Sequence, residues 1–283
     1  MKKLFVCLIC LVAALCIASC GETKEGDVVK VIDIKLTDEE YAFAVKKGNT
    51  ELVNDFNEFL AKIQENGTFA EIVAKYFENT GTKVGVELAI GSVANTDENF
   101  VVATNCPFEP FEYIGDDGKA YGIDLEIAAL YAAEKGLELV VKNIAFDAIL
   151  NDVNAGYSDM GMAGMTVNED RLVSNDFTTA YYQASQKIIV AADNTDFDNC
   201  ETAEDVENVL KSLTGKKVGY QIGTTGNWYV AGDADWGFDG FANIEAKGYS
   251  TAQLAIQDLI NGQIYAVVVD EAPGAAMVKA FNK

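Results

Sequence analysis

Apolar positions recur along this chain with two different periods, and the way the periods alternate predicts the architecture. Leu52, Val53, Phe56, Phe59, Leu60 and Ile63 stand three and four residues apart with Gly67 behind them, which predicts an amphipathic helix and its stop. Thr68 and Glu71 have the spacing of a capping box, opening a second helix over Phe69 to Phe77. Ahead of both helices, Val29 to Ile34 and Tyr41 to Val45 read as short strands. Residues 81–99 read as a linker of small and polar residues, although Val84, Val86, Leu88 and Ile90 alternate as in a strand.

From Phe100 the pattern becomes strand, helix, strand. Phe100 to Thr104 is a strand running into a loop from Asn105 to Tyr113, made rigid by Pro107 and Pro110 and set with aromatics. A turn at Asp116 to Gly118 leads to a helix from Asp124 to Lys135 that ends at Gly136. Strand Leu137 to Val141, helix Asp147 to Val153 and strand Met160 to Ala163 complete one α/β unit, and Lys187 to Val190 is a further strand. The second unit runs from a helix capped by Thr202 through strand Lys217 to Tyr220, a loop Gly223 to Gly226 opening a helix, and strand Ile244 to Lys247. It closes with helix Ala252 to Ile260, given a capping box at Ser250 and Gln253, and strand Tyr265 to Val269. Such alternation predicts two parallel sheets flanked by helices, with binding at the strand ends between them.

The first residues change the compartment. Lys2 and Lys3 lead an apolar run from Leu4 to Ile17 that is short for a membrane span, and Ala18-Ser19-Cys20 follows. Residues 1–19 read as a signal peptide and 20–28 as a polar tether. Of the six cysteines, Cys7, Cys10 and Cys16 leave with the signal. Cys20, Cys106 and Cys200 remain, the last two as two buried thiols or as one bridge, with no metal-ligand spacing. Acidic residues outnumber basic ones 44 to 21 for a net charge of −23, which argues against nucleic acid and against an anionic membrane surface. The chain has no histidine, so a catalytic reading would rest on carboxylates such as Glu109.

Arg171 is the only arginine. Its guanidinium, a few residues after Ala163, Gly164 and Thr166, either receives a carboxylate through two parallel hydrogen bonds or pairs at the surface with Glu169 or Asp170. Gly223 to Gly226 sets free backbone N–H groups at a helix start, and Asp270 stands at a strand end. Together they suit an α-amino acid: an anion at Arg171 and the helix start, an ammonium at Asp270, and Phe108 and Phe146 as apolar walls. Asp270 alternatively caps the helix containing Pro273, and either phenylalanine alternatively belongs to the core. Trp228 is expected near the cleft and Trp236 away from it.

Seven landmarks occur in a fixed order: PFEY at Pro110 to Tyr113, DDGKAYGIDLEIA at Asp116 to Ala128, AFDAIL at Ala145 to Leu150, AGMTVNEDR at Ala163 to Arg171, DFTTAYY at Asp176 to Tyr182, GKKVGYQIGTTGNWY at Gly215 to Tyr229, and GQIYAVVVDEAP at Gly262 to Pro273. From Phe100 to about Lys283 the chain thus resembles the solute-binding proteins of polar amino-acid ABC importers. The resemblance implies the α/β, two-lobed, type II periplasmic-binding-protein fold with two hinge strands, and an amino-acid receptor, not an enzyme, that needs no cofactor. By it Arg171, Thr166 and Thr225 hold the ligand carboxylate, Asp270 and the Gly164 carbonyl hold the ammonium, and Phe108 and Phe146 sandwich the side chain. Where binders of cationic side chains in this family commonly place an acid, this chain has Asn105, which favours a neutral polar side chain. The Cys20 segment resembles a lipobox, implying a lipid-anchored monomer on the extracytoplasmic face, serving an ABC permease. A dehydratase on the same scaffold and a ligand-sensing domain are the rival readings.

Residues 29–80 resemble the segment that ends ordinary members, so the chain reads as circularly permuted. On that reading residues 41–80 and 100–189 form lobe 1, residues 29–40 and 190–283 form lobe 2, and residues 81–99 are the joining linker, able to reach about 60 Å at ~3.3 Å per residue. Tyr41 to Val45 should then cross between lobes beside Lys187 to Val190, and Val29 should lie near Lys283.

Overall fold

The computed structural model describes residues 26–283; the signal-peptide and Cys20 expectations lie outside the described residues. Two five-stranded sheets form the two lobes. In the first lobe the strand order is Glu138–Asn143, Asn99–Thr104, Met160–Gly161, Ala44–Lys46, Asn175–Phe177. In the second it is Val29–Ile32, Gln186–Ala191, Ala266–Asp270, Lys217–Gln221, Glu245–Tyr249. Each sheet is parallel only on one side. Ala44–Lys46 runs antiparallel to both of its neighbours, as Gln186–Ala191 does in the other sheet, because these strands belong to the chain's crossings between lobes and not to strand-helix-strand units.

The crossings differ from the expected ones. Glu39–Tyr41 pairs with Tyr182–Ala184 as a two-stranded antiparallel ribbon, and it is Val29–Ile32, not Tyr41 to Val45, that lies beside Ile188 to Ala191. Ala42 and Phe43 interrupt what read as one strand, so that Tyr41 belongs to the ribbon and Ala44 to the first sheet. Residues 29–46 therefore contribute to both sheets and to the connection between them.

Helix Thr50–Glu65 begins at Asn49, whose side chain accepts from the Leu52 N–H at 3.3 Å, and ends at Asn66 and Gly67. Its stripe of Phe56, Phe59, Leu60 and Ile63 is buried against Phe43, Phe100, Tyr131 and Met160 in the core of the first lobe. Phe56 meets the rings of Tyr131 at 4.5 Å and Phe43 at 5.5 Å between centroids, favourable aromatic spacings. The capping box expected at Thr68 and Glu71 does not form: Gly67, at φ 85°, holds the N-cap position without a side-chain bond, so Thr68 is already helical. Likewise Thr251, not Ser250, caps helix Ala252–Ile260, and Gln253 reaches across to the Pro107 carbonyl.

The linker hugs the first lobe. Val86 exchanges backbone bonds with Ala120, Leu88 bridges Val141, and both side chains pack beside Cys106 and Leu125. Cys106 and Cys200 are free thiols. At the far end of the chain, Asn282 Oδ1 accepts from the N–H groups of Val28 and Val29 at 2.9 and 3.2 Å, and its Nδ2 donates to the Val29 carbonyl at 2.8 Å. The two ends of the described chain thus meet on the second lobe.

Candidate functional site

Between the lobes lies a cavity lined by Asn105, Phe108, Glu112, Phe146, Ala163, Gly164, Thr166, Arg171, Gln221, Thr224, Thr225 and Asp270. Every residue expected to bind ligand is among them. The lobes are closed on one another: the empty volume is about 310 Å³, but solvent-sized space is only about 10 Å³, room for about one water. A ligand enters only when the lobes part.

Arg171 owes its position to a short helix, Glu169–Ser174, that Asn168 caps by accepting the Arg171 N–H at 2.8 Å. Its side chain leaves the surface, pairs with neither Glu169 nor Asp170, and is buried. Nη1 donates to the Thr166 carbonyl at 2.5 Å and Nη2 donates across the cleft to the Gly223 carbonyl at 2.9 Å. Phe146 and Trp228 each lie 5.4 Å from the guanidinium carbon. Burial lowers its pKa to about 10, against the opposing charges of Glu39 and Asp270. Trp236 is not remote, as had been expected. It stacks on Trp228 at 3.6 Å and stands 5.5 Å from the same guanidinium.

On the facing lobe, Asp270 ends strand Ala266–Asp270 and makes no cap bond to the helix that follows. Instead its Oδ1 accepts the Tyr41 hydroxyl at 2.5 Å. Burial, then the charge of Glu39, raises its pKa to about 7, and bonds from Tyr41 and Gln186 oppose that rise. Thr225 is buried at the start of helix Thr225–Ala231, and its hydroxyl donates to Glu39 Oε2 at 2.6 Å. Thr166 donates to the same oxygen at 2.6 Å from the first lobe.

Gly164, at φ 51°, lies against Phe108: a Cβ there would come within 2.6 Å of that ring, so only glycine fits. Its N–H donates to Asp124 Oδ2 at 2.9 Å, and Tyr181 donates to Asp124 Oδ1 at 2.6 Å. Burial outweighs both bonds and raises Asp124 to about 7. Phe108 lines the cavity and also belongs to the core, in contact with Tyr41 and Phe111. Asn105 spends its amide on the structure. Its Nδ2 donates to the Ile144 carbonyl at 2.7 Å, and its Oδ1 accepts Gln221 from the other lobe at 2.8 Å.

Three acids were not anticipated. Glu39 arrives on the ribbon, and Asp124 stands behind Gly164. Glu112 faces the cavity fully buried, with Oε2 lacking a partner, and burial together with Asp124 and Asp270 holds its pKa well above the usual carboxylate range. Glu112 and Asp124 lay inside landmarks already noted, PFEY and DDGKAYGIDLEIA; their signal was an acid embedded in an apolar run. Glu109, the carboxylate offered for catalysis, is exposed and does not line this cavity.

A family model described as bacterial extracellular solute-binding proteins, family 3, matches residues 13–79 and 100–272. The chain belongs to this family. Among curated relatives, the probable histidine-binding protein of Neisseria gonorrhoeae is 27% identical over 68% of this chain and 66% of its own length. The ABC transporter arginine-binding protein 1 of Escherichia coli is 28% identical over 64% of this chain and 66% of its own. The L-cystine-binding protein TcyJ of Escherichia coli is 28% identical over 62% and 60%. The chain thus spans slightly less than two thirds of the length of these relatives. Among solved structures, an ancestral arginine-binding protein bound to arginine superposes with TM-score 0.56 at 31% identity, covering 66% of this chain and 76% of that one. Holo ArgBP from T. maritima gives TM-score 0.56 at 29% identity over 65% and 74%. An ancestral amino acid-binding protein described as a precursor of cyclohexadienyl dehydratase gives TM-score 0.55 at 26% over 65% and 74%. These neighbours share the two-lobed type II architecture, and the curated relatives are named as binding proteins.

Proposed function

We propose that this chain is an extracytoplasmic receptor that closes its lobes around an L-amino acid and delivers it to an ABC permease, as a monomer tethered through lipid on Cys20. One observation carries the reading: the sole arginine is buried at the lobe interface and forms no ion pair with an acid among the described residues, while Asp270 waits on the opposite wall. Arg171 takes the ligand carboxylate in place of its present carbonyl partners. Asp270 and the Gly164 carbonyl take the ammonium, with Phe108 and Phe146 beside the side chain.

The charge balance favours a basic side chain over the neutral one that Asn105 had suggested. Asn105 is already paired with Gln221, whereas Glu112 and Asp270 line the cavity and Glu39 adjoins it, against a single guanidinium. A cation relieves that excess. The relatives named for arginine and histidine lend the same support.

We also propose that the chain is a circular permutation, with residues 41–80 and 100–189 as lobe 1 and residues 29–40 and 190–283 as lobe 2. Supporting this, residues 29–46 enter both sheets, helix Thr50–Glu65 fills the core beneath Arg171's sheet, and Asn282 joins the two ends. The superposed share of 65–66% of this chain is about what residues 100–283 make up on their own. Permutation is tolerated where the original ends lie together at the surface.

Calorimetric titration with L-arginine, L-histidine and L-glutamine tests the binding reading. Arg171→Ala should weaken the ligand at least about a hundredfold, because leaving a buried charge unpaired costs roughly 3–5 kcal/mol. Affinity equal to wild type would remove Arg171 from the site.

A further inference from the structure

Glu39 stands where both lobes and both connections meet. Its Oε2 accepts the hydroxyls of Thr166, from the first lobe, and Thr225, from the second, each at 2.6 Å. Its Oε1 accepts the hydroxyl of Thr37 at 2.6 Å and the amide of Gln186 at 3.0 Å. Four donors converge on two oxygens in a residue only 6% exposed.

A hydroxyl has one proton to give. Thr166 and Thr225 have both given theirs to Glu39, so each presents only lone pairs to the cavity it lines. These are the two threonines expected to help Arg171 hold a ligand carboxylate. Glu39 also places its negative charge near Arg171 and Asp270, and it raises the pKa of each.

We propose that Glu39 is a specificity-determining residue that acts through Thr166 and Thr225: it keeps their protons from a ligand's carboxylate and leaves their oxygens to receive a ligand's ammonium. The inference rests on the amino-acid reading above. A bound carboxylate is then held by Arg171 and by backbone N–H groups, in the presence of a fixed neighbouring acid. Preference for a free α-carboxylate over a neutral α-amide is therefore weaker than these residues would otherwise impose. Glutamine at this position removes the negative charge and leaves a neutral carbonyl, a weaker acceptor, so that the hydroxyls of Thr166 and Thr225 are held less firmly away from the ligand. Both changes favour the carboxylate.

The test is calorimetry of L-arginine and L-argininamide with wild type, Glu39→Gln and Glu39→Asp, with circular dichroism to verify folding. Glu39→Gln should raise the ratio of arginine to argininamide affinity by about tenfold, the worth of one charge-assisted hydrogen bond. Glu39→Asp, which keeps the charged acceptor, should retain the wild-type ratio even if both affinities fall. An unchanged or reduced ratio in Glu39→Gln, the mark of a merely structural role, overturns the proposal. If Glu39→Gln does not fold, Thr225→Val decides: the proposal requires it to leave the ratio unchanged, whereas a lower ratio would show that this hydroxyl serves the ligand carboxylate. Should another amino acid bind instead of arginine, it and its α-amide replace the pair. If none of the twenty binds wild type, the amino-acid reading itself fails and this inference with it.

Discussion

Ligand binding should release a proton, and Asp270 should be its source. Burial and the charge of Glu39 raise Asp270 to about 7. Glu112, which also lines the cavity, has its pKa held well above the usual carboxylate range by burial and by Asp124 and Asp270, and Asp124 is bonded to the Gly164 N–H and the Tyr181 hydroxyl and does not line the cavity. An ammonium at Asp270 stabilises its ionised form and lowers its pKa, so below about pH 7 the proton must leave for the ligand to bind. The sign follows: affinity rises with pH through the acid range and levels off above about 7. At about one decade of affinity per pH unit below the pKa, the affinity at pH 5.5 should be roughly twenty-five-fold below that at pH 7.5. Calorimetry at pH 6 in two buffers of different ionisation enthalpy should detect about 0.9 proton released per ligand, the protonated fraction for a pKa of about 7. Asp270→Asn should bind more weakly at pH 7.5 and lose most of the pH slope. A flat wild-type profile, or an equal slope in Asp270→Asn, would refute the assignment of the ammonium seat.

Two further outcomes follow from the packing. Trp228 and Trp236 form one stacked pair beside Arg171, so both should report lobe closure by fluorescence, and either Trp228→Phe or Trp236→Phe should reduce the ligand-induced change. A signal untouched by Trp236→Phe would contradict the stack. Phe56→Ala should destabilise the whole first lobe by about 3–5 kcal/mol in urea unfolding, because the residue is fully buried in that core; a loss below about 1 kcal/mol would mean that residues 29–80 are not integrated into it.

Much of this site was legible because its residues lie at strand ends within strongly periodic segments. Arg171, Thr166 and Gly164 follow one strand, Thr225 follows another and Asp270 ends a third, so chain order alone placed them together. Glu39 was not legible. In the run Thr37 to Tyr41 it reads as one of several surface acids, and only the antiparallel pairing of Glu39–Tyr41 with Tyr182–Ala184, some 140 residues away, carries it into the cleft. The same remoteness hid the antiparallel half of each sheet: residues 44–46 and 186–191 have the apolar character of parallel strands, and direction is set by where the chain must return. Trp236 was misplaced for a related reason, since the turn at Asp233 to Phe238 folds back on helix Thr225–Ala231 and brings the two indoles together.

The most direct test of a closing amino-acid receptor is equilibrium unfolding of the full chain with each of the twenty L-amino acids in turn. A basic amino acid at about one hundred times its dissociation constant should add about 2.7 kcal/mol to the unfolding free energy, and that gain should vanish in Arg171→Ala. Absence of stabilisation by all twenty, or an undiminished gain in Arg171→Ala, would contradict the account.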